Sequence, residues 1–159
     1  MKIQKHIVTT EEKDIQIEEI TLLSKEEYLA AKDNIPLIDD WWWLRSPGPC
    51  RTNVARVYHD RSVYYCSVDY PNVYVRPALR ILNPESSNFC IRDKFEMAGY
   101  TWTVVLEEEK DCIALCNTSV GEIYFRDNWT ANDANKYETS DVKKWLENWA
   151  KAHEIKVER

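Results

Sequence analysis

Residues 41–50, WWWLRSPGPC, are the stretch from which the fold of this 159-residue chain is predicted. Three consecutive tryptophans run into an arginine and a Ser-Pro-Gly turn. In a strand, Trp41 and Trp43 point to one face and Trp42 to the other. A buried indole contributes about 4–6 kcal/mol, a large share of the roughly 5–15 kcal/mol that stabilises a domain. We therefore expect Trp41 and Trp43 to be interior anchors of a strand.

Two arginines embedded in apolar runs raise the question of what they contact. Arg45 closes the tryptophan strand, and Arg76 lies in residues 75–79, VRPAL. A guanidinium at the end of a buried strand needs a carboxylate, backbone carbonyls or a ring face to offset its desolvation. Because a proline closely follows each of them, we predict that Arg45 and Arg76 are structural residues at corners of the fold.

Composition limits the class of protein. The length fits one domain, and 44% hydrophobic and 12% aromatic residues with only 3 glycines are typical of an ordered globular chain. A net charge of −6 makes direct binding of nucleic acid unfavourable. No apolar run approaches the ~20 residues that span a bilayer, and the first residues contain no signal-peptide core. We expect no membrane partner and a cytoplasmic location.

Two helices are predicted from their caps. Residues 24–27, SKEE, match a capping box, in which the serine hydroxyl and the glutamate carboxylate each accept from the backbone amide of the other. The helix is expected to reach about Lys32 and to end before Pro36. Ser140 caps a last helix, in which Val142, Trp145, Leu146 and Trp149 form an apolar stripe that can dock on a sheet.

Alternating apolar residues predict the strands. Residues 3–8 and 15–22 flank a turn at 9–14, and the alternation slips at Glu18-Glu19, which indicates a bulge. Residues 54–82 are predicted to form a strand meander. Residues 100–106 and 112–116 are predicted to pair as a hairpin, with the second strand central because both of its faces are apolar. We predict a single α+β domain over residues 1–159, with halves at 15–82 and 89–155 and a linker at 83–88.

The motifs resemble a known family. WWWLRSP at 41–47, ARV at 55–57 and VRPAL at 75–79 resemble the "WWLRSPG … A..V … VRPAL" domain of unknown function of Gram-positive bacteria and their phages. The resemblance extends to ITLLSKEEY at 20–28, GYTWTVV at 99–105 and YETSDVKKWL at 137–146.

The resemblance implies a fold and an origin. Such domains are similar to C-type-lectin-like and formylglycine-generating-enzyme folds, which implies a mixed or antiparallel sheet with two main helices. The "G-x-x-W" half comes second here, so the order of the halves looks circularly permuted. The resemblance also implies a protein of phage or prophage origin that acts in the cytoplasm of a bacterial host cell.

Neither a metal site nor catalytic chemistry is encoded clearly. His6, His59 and His153 are scattered, and the acidic and amide residues at 127–135 lack the regular spacing of a calcium loop. Cys112 and Cys116 would lie ~13 Å apart along a strand, beyond the about 4.4–6.8 Å of bridging cysteines, which disfavours oxidase chemistry. No nucleophile-elbow or phosphate-loop motif occurs. We expect no enzyme activity, metal or cofactor.

The candidate ligand-binding surface combines one tryptophan with the polar and aromatic residues between the two signature strands. Its members are Trp42, Tyr58, His59, Arg61, Tyr64, Tyr70, Asn72 and Tyr74. Tyrosine with Asn, Ser and Arg is typical of adaptable recognition surfaces. Alternating tyrosines also cover sheet faces without any ligand, and the sequence leaves both interpretations open.

A second set of residues is predicted to hold the fold together. Its members are Trp41, Trp43, Arg45, Arg76, Trp102 and Trp145.

Three functions follow as hypotheses. The first is a non-catalytic protein-binding accessory protein whose partner the sequence does not name. The second is a lectin-like module that binds a carbohydrate or small ligand through Trp42 and the tyrosines. The third is an acidic inhibitor of a nucleic-acid-binding host defence protein, which the negative charge favours. A remnant enzyme of the formylglycine-generating type is the least supported alternative.

Overall fold

The structure of the protein, a computed structural model, describes residues 15–82 and 89–157. The strand and turn predicted at 3–14 and the linker at 83–88 lie outside these residues. The described chain holds two α-helices and ten strands, in the order β1 (Ile17–Thr21), α1 (Lys25–Ala31), β2 (Trp42–Pro47), β3 (Asn53–Val57), β4 (Val63–Ser67), β5 (Tyr74–Val75), β6 (Ala78–Leu82), β7 (Lys94–Met97), β8 (Tyr100–Glu107), β9 (Asp111–Cys116), β10 (Gly121–Glu122) and α2 (Asp141–Ala152).

The strands form two five-stranded sheets, so the α+β class is confirmed. The first sheet is antiparallel throughout, in the order β1-β6-β9-β8-β7. The second sheet is mixed, in the order β10-β5-β2-β3-β4, because β5 runs parallel to β2. The two sequence halves share the first sheet, since β6 from the first half pairs with β9 from the second.

Several local predictions are confirmed. The register between β1 and β6 shifts at Glu18, where the bulge was expected. β8 and β9 form the predicted hairpin, and β9 lies between β6 and β8 with every residue of 112–116 buried. In α1 both bonds of the capping box are present, and the Ser140 hydroxyl accepts from the Lys143 amide at 3.1 Å to cap α2.

Buried residues form two clusters, and neighbouring tryptophans enter different ones. Trp43 lies in the cluster that also contains Trp102 and the buried side of α2. Trp42 lies in the cluster beneath α1. Trp41 points to the same side as Trp43 but precedes β2, where the core ends, and it is only partly buried. The prediction that Trp41 is an interior anchor is therefore corrected, whereas Trp43 is fully buried and its Nε1 donates to the Ile123 carbonyl at 2.7 Å.

Trp102 and Trp145 hold other parts of the fold together. The Trp102 indole is fully buried and donates to the Met97 carbonyl at 3.0 Å. Trp145 is partly buried, and its ring lies against the backbone of Gly121. A Cβ at position 121 would be 2.5 Å from the Trp145 ring, so this contact between α2 and β10 requires glycine.

Arg45 and Glu27 join the first helix to both sheets. The Arg45 guanidinium donates to the Leu22 carbonyl at 2.5 Å and to Glu27 Oε1 at 2.7 Å. Glu27 Oε2 accepts from Arg80 of β6 at 3.1 Å. Burial alone would raise the pKa of Glu27, but the hydrogen bonds from Arg45 and from the Ser24 amide, with the charges of Arg45 and Arg80, outweigh it and lower this pKa.

Arg76 occupies the point where the chain crosses from one sheet to the other. Arg76 and Pro77 connect β5 of the second sheet to β6 of the first. The Arg76 side chain is 1% exposed and donates to the carbonyls of Cys116 at 2.7 Å, Pro36 at 2.7 Å and Asn117 at 3.2 Å. Its Cζ also lies 5.1 Å from the centre of the Trp42 ring. Carbonyl dipoles and a ring face thus offset the burial of this charge.

Replacing Glu27 with Gln tests the helix-to-sheet network. Because folding lowers the pKa of Glu27, its charge stabilises the fold at neutral pH, and this contribution is lost as the pH falls through the folded pKa. We expect Glu27→Gln to lower the free energy of unfolding by about 1–2 kcal/mol at pH 7, with the difference shrinking below about pH 4. Urea unfolding across this range measures it. The exposed neighbour Glu26→Gln serves as the control, and a cost for Glu27→Gln that is constant down to pH 3 would contradict the assignment.

Replacing Arg76 with Met tests the crossing. Methionine fills much of the same volume but leaves three carbonyls without their donor, so we expect the free energy of unfolding to fall by about 3 kcal/mol. Arg51→Met is the matched control, because Arg51 also donates to two carbonyls, those of Thr130 and Ala131, but is exposed. We expect a loss of under about 1 kcal/mol for the control. Equal losses in the two variants, measured by urea unfolding, would show that burial of Arg76 is not the cause.

Candidate functional site

One group of exposed and partly buried side chains stands out at the end of the second sheet. We call it the aromatic face, and it consists of Trp41, Arg56, Tyr58, His59, Tyr64 and Tyr70. Strand register explains how it forms. Arg56 lies opposite Trp43 on one side and opposite Tyr64 on the other, so all three project from the same face of the sheet. The core covers this face at Trp43 and Val54 and ends before Arg56 and Tyr64.

The Arg56 guanidinium lies among three aromatic rings. Its Cζ is 4.1 Å from the centre of the Trp41 ring, 5.4 Å from that of Tyr58 and 5.6 Å from that of Tyr70. Distances under about 6 Å over a ring face are those of cation–π attraction, for which tryptophan is the best partner. Arg56 therefore acts as the centre around which the rings are arranged.

The rings also contact one another. Tyr58 has its ring centre 4.6 Å from that of Trp41, 5.5 Å from that of Tyr64 and 4.1 Å from that of His59. The Trp41 indole Nε1 donates to His59 Nδ1 at 3.3 Å, so the imidazole accepts through Nδ1. These contacts join the rings into one packed group, although Tyr64 is 49% and Tyr70 39% exposed.

Arg56 lacks the polar partners that its position requires. Its Nε and Nη1 atoms are buried and form no hydrogen bond, and no ion pair of the described residues includes it. Burial raises the pKa of the neighbouring Cys66 thiol to about 11, so this thiol supplies no negative charge at neutral pH. A buried donor without a partner costs about 1–3 kcal/mol, which the ring faces offset in part. An arrangement that breaks a local rule in this way is typical of functional sites.

The structure brings together four of the eight residues predicted to bind a ligand: Tyr58, His59, Tyr64 and Tyr70. Asn72 is exposed on the loop that leads to β5. Trp42 is 2% exposed and packs edge-to-face on Tyr28 at 5.5 Å, so its assignment to the ligand surface is corrected. Its β5 neighbour Tyr74 is partly buried against the cluster beneath α1.

Arg61 holds the β3–β4 turn onto the first helix. Its guanidinium donates to the Lys32 carbonyl at 2.6 Å, and its own carbonyl accepts from the Tyr28 hydroxyl at 2.7 Å. Its side chain is therefore engaged by the fold, and it does not join the aromatic face.

The sequence patterns did not identify Arg56, the central residue of the aromatic face, and they assigned one of its rings to the interior. Arg56 lies in an apolar run of the sequence, as Arg45 and Arg76 do, and that similarity was the available signal. Trp41 was predicted to be interior, and it is instead the ring that covers Arg56. Both errors concern how far the core extends along a strand, which alternation alone does not specify.

A second concave region offers a weaker candidate. A groove of about 630 Å³ runs between β1 and α2. Among its charged residues, Arg80 contacts Glu19, and Lys143 contacts Glu138 and Glu147. Four carboxylates and three cations line the groove, so its net charge is too small to select a ligand of either sign.

Other kinds of site find little support in the described part of the chain. Residues 15–82 and 89–157 contain no group of three or more His, Cys, Asp or Glu residues that could hold a metal ion. Cys112 and Cys116 both lie buried in β9, and burial raises the pKa of the Cys116 thiol. None of the described helices is long and apolar enough to cross a bilayer.

Comparison of the chain with protein-family models, curated proteins and solved structures finds no match. The family resemblance of the signature motifs therefore stays a prediction, and the argument for function depends on the geometry of the aromatic face.

Replacing Arg56 with Met tests whether this arginine serves the fold. Methionine keeps much of the packing under Trp41 and removes two unsatisfied donors. Loss of the cation–π contacts and relief of the desolvation cost are of similar size, so we expect the free energy of unfolding to change by less than about 1 kcal/mol. Urea unfolding measures the change. A loss of the size expected for Arg76→Met would identify Arg56 as a structural anchor instead.

Proposed function

We propose that this chain is a non-catalytic protein-binding protein and that the aromatic face is its contact surface. The observation that carries the proposal is the Arg56 guanidinium, stacked under Trp41 with two unsatisfied N–H groups and flanked by the partly buried Tyr58 and the exposed Tyr70.

The composition of the aromatic face matches that of energetic centres in protein interfaces. Tryptophan, tyrosine and arginine are the residues most enriched among interface hot spots. Tyrosine adds large contact area with few rotatable bonds, and the ring contacts of Tyr58 reduce the remaining freedom before a partner arrives. Little conformational entropy is then lost on binding.

The same observations weigh against the two alternatives. The carbohydrate hypothesis used Trp42 and the tyrosines as stacking rings, and the Trp42 indole is buried. Trp41, the tryptophan of the aromatic face, has Arg56 against one side of its ring, which leaves the exposed Tyr64 and Tyr70 as the rings open to a sugar. The acidic-inhibitor hypothesis needs an acidic contact surface, whereas the aromatic face contains an arginine, a histidine and no carboxylate. The net charge of −6 is located elsewhere on the chain.

The family resemblance adds finer proposals. We infer from the signature motifs a C-type-lectin-like fold with circularly permuted halves, a phage or prophage origin and action in the cytoplasm of a bacterial host. The supporting features are the WWWLRSP strand and the VRPAL segment, which adjoin one another through the parallel pairing of β2 and β5.

A binding experiment tests the proposal. The tagged chain is used to capture proteins from a Gram-positive bacterial lysate, with mass spectrometry as the readout. We expect Tyr64→Ala, Tyr70→Ala and Arg56→Met each to weaken capture of the same protein by about tenfold or more, because hot-spot truncations cost upward of 1–2 kcal/mol.

Tyr124→Ala and Trp129→Ala are the matched controls. Both replace exposed aromatic residues outside the aromatic face, with exposures of 36% and 50%. We expect them to capture the partner as the unaltered chain does. Equal losses in the control and test variants would reject the aromatic face as the contact surface, and circular dichroism of every variant excludes loss of folding as the cause.

A further inference from the structure

The outer edge of β4 continues the aromatic face and carries an open row of backbone groups. β4 is the last strand of the second sheet and pairs with β3 alone. All five of its residues pair in continuous register, from Asn53 opposite Ser67 to Val57 opposite Val63. The strand, VYYCS, contains no charged residue, no proline and no bulge.

The other three sheet edges in the described residues are protected in the ways that proteins commonly use. β1 carries Glu18 and Glu19 and a bulge. β7 carries Lys94 and Glu96, and β10 is only two residues long and includes Glu122. Charges, bulges and short length all discourage pairing with another chain. The β4 edge has none of these features, so it is the edge among the four that is suited to accept a strand.

The hydrogen-bond pattern identifies which groups of β4 face outward. The Tyr58 amide donates to the Ser62 carbonyl, and the Val68 amide donates to the Thr52 carbonyl. Because hydrogen-bonded pairs alternate along an antiparallel ladder, Tyr64 and Cys66 direct their backbone groups to β3. Val63, Tyr65 and Ser67 therefore direct their amides away from β3, with the carbonyls of Val63 and Tyr65 open on the same side.

We propose that β4 binds an extended segment of the partner protein as a sixth strand of the second sheet. The inference deepens the proposed function and rests on it, since the added strand would lie beside the aromatic face. Strand addition gives affinity through main-chain hydrogen bonds and specificity through alternating side chains.

The two faces of β4 specify the chemistry of that segment. On one face Tyr64 is 49% exposed and adjoins Tyr58, so the partner residue opposite it is apolar and β-branched or aromatic. On the other face Lys25 Nζ donates to the Tyr65 hydroxyl at 2.8 Å and lies 5.3 Å from the centre of its ring. No ion pair of the described residues includes Lys25. An acidic residue opposite Tyr65 would complement the charge of Lys25, whereas the Ser67 hydroxyl already donates to the Asp69 carboxylate and disfavours a second acidic residue there. The segment therefore carries one acidic residue, opposite Tyr65, between two apolar residues.

Three synthetic peptides test the proposal on the full chain. The first is a capped Thr-Thr-Val-Glu-Val-Thr-Thr peptide, in which the glutamate opposes Tyr65 and the threonines at its second and sixth positions oppose Val63 and Ser67. The second carries N-methyl groups on the amides of these three peptide residues, which removes the donors to β4 and leaves the side chains unchanged. The third has lysine in place of the glutamate. NMR amide shifts and hydrogen exchange of the labelled chain are the readouts.

The first peptide is expected to shift and protect the amides of Val63, Tyr65 and Ser67, and the N-methylated peptide to leave them unchanged. We expect the lysine peptide to bind about threefold or more weakly, and Lys25→Gln to reduce that difference. Tyr64→Ala is expected to weaken the first peptide about threefold.

Three results would overturn the proposal: no shift with the first peptide at its highest soluble concentration, equal binding of the N-methylated peptide, or shifts centred away from β4. Equal or tighter binding of the lysine peptide would overturn the acidic preference. If the peptides do not bind but capture from the lysate still depends on Tyr70 and Arg56, strand addition alone is rejected. If the peptides do not bind and capture is also independent of these residues, the aromatic face is rejected as a binding surface.

Discussion

A single buried guanidinium, that of Arg76, fixes how the two sheets meet. It donates to Cys116 and Asn117 at the end of β9 and to Pro36 in the loop that precedes β2, so three segments converge on one side chain. Burial lowers its pKa to about 10, which leaves it charged at neutral pH. β5, which directly precedes Arg76, pairs with the tryptophan strand β2. The hydrogen bonds of Arg76 therefore also position β2 and, through it, the aromatic face.

Arg76 and Arg56 show two outcomes for an arginine in an apolar run of the sequence. Arg76 lies where carbonyl groups from the loops converge, and its donors are used within the fold. Arg56 lies in β3, where aromatic rings offset its charge but leave Nε and Nη1 without a hydrogen-bond acceptor. Saturated hydrogen bonding is the expected state of a buried polar group in a stable fold. The unsaturated arginine at an exposed aromatic surface is therefore the feature that points to a binding role.

Local chemistry could be predicted from the sequence, and contacts between distant segments could not. The caps at Ser24 and Ser140 depend on residues three positions apart, and the β8–β9 hairpin on one short turn. The two sheets arise from the crossing at Arg76, a long-range arrangement that alternation does not encode. Strand alternation also assigned opposite faces to Trp42 and Trp43 correctly. Alternation did not show that α1 covers the second face of β2, which is why it places Trp42 at the ligand surface. It also gives no measure of how far the core extends along the strand, which is why it places Trp41 in the interior.

The most direct test of the central claim, that the aromatic face meets a protein partner, is position-dependent crosslinking. Chains with a photoreactive phenylalanine analogue at Tyr64 or at Tyr124 are illuminated in bacterial lysate, and the adducts are compared. The account predicts a discrete protein adduct from position 64, absent from position 124, that is lost when Arg56→Met is added. Two results would contradict it. One is that positions 64 and 124 form adducts with the same protein in equal yield, and the other is that the adduct at position 64 persists when Arg56→Met is added.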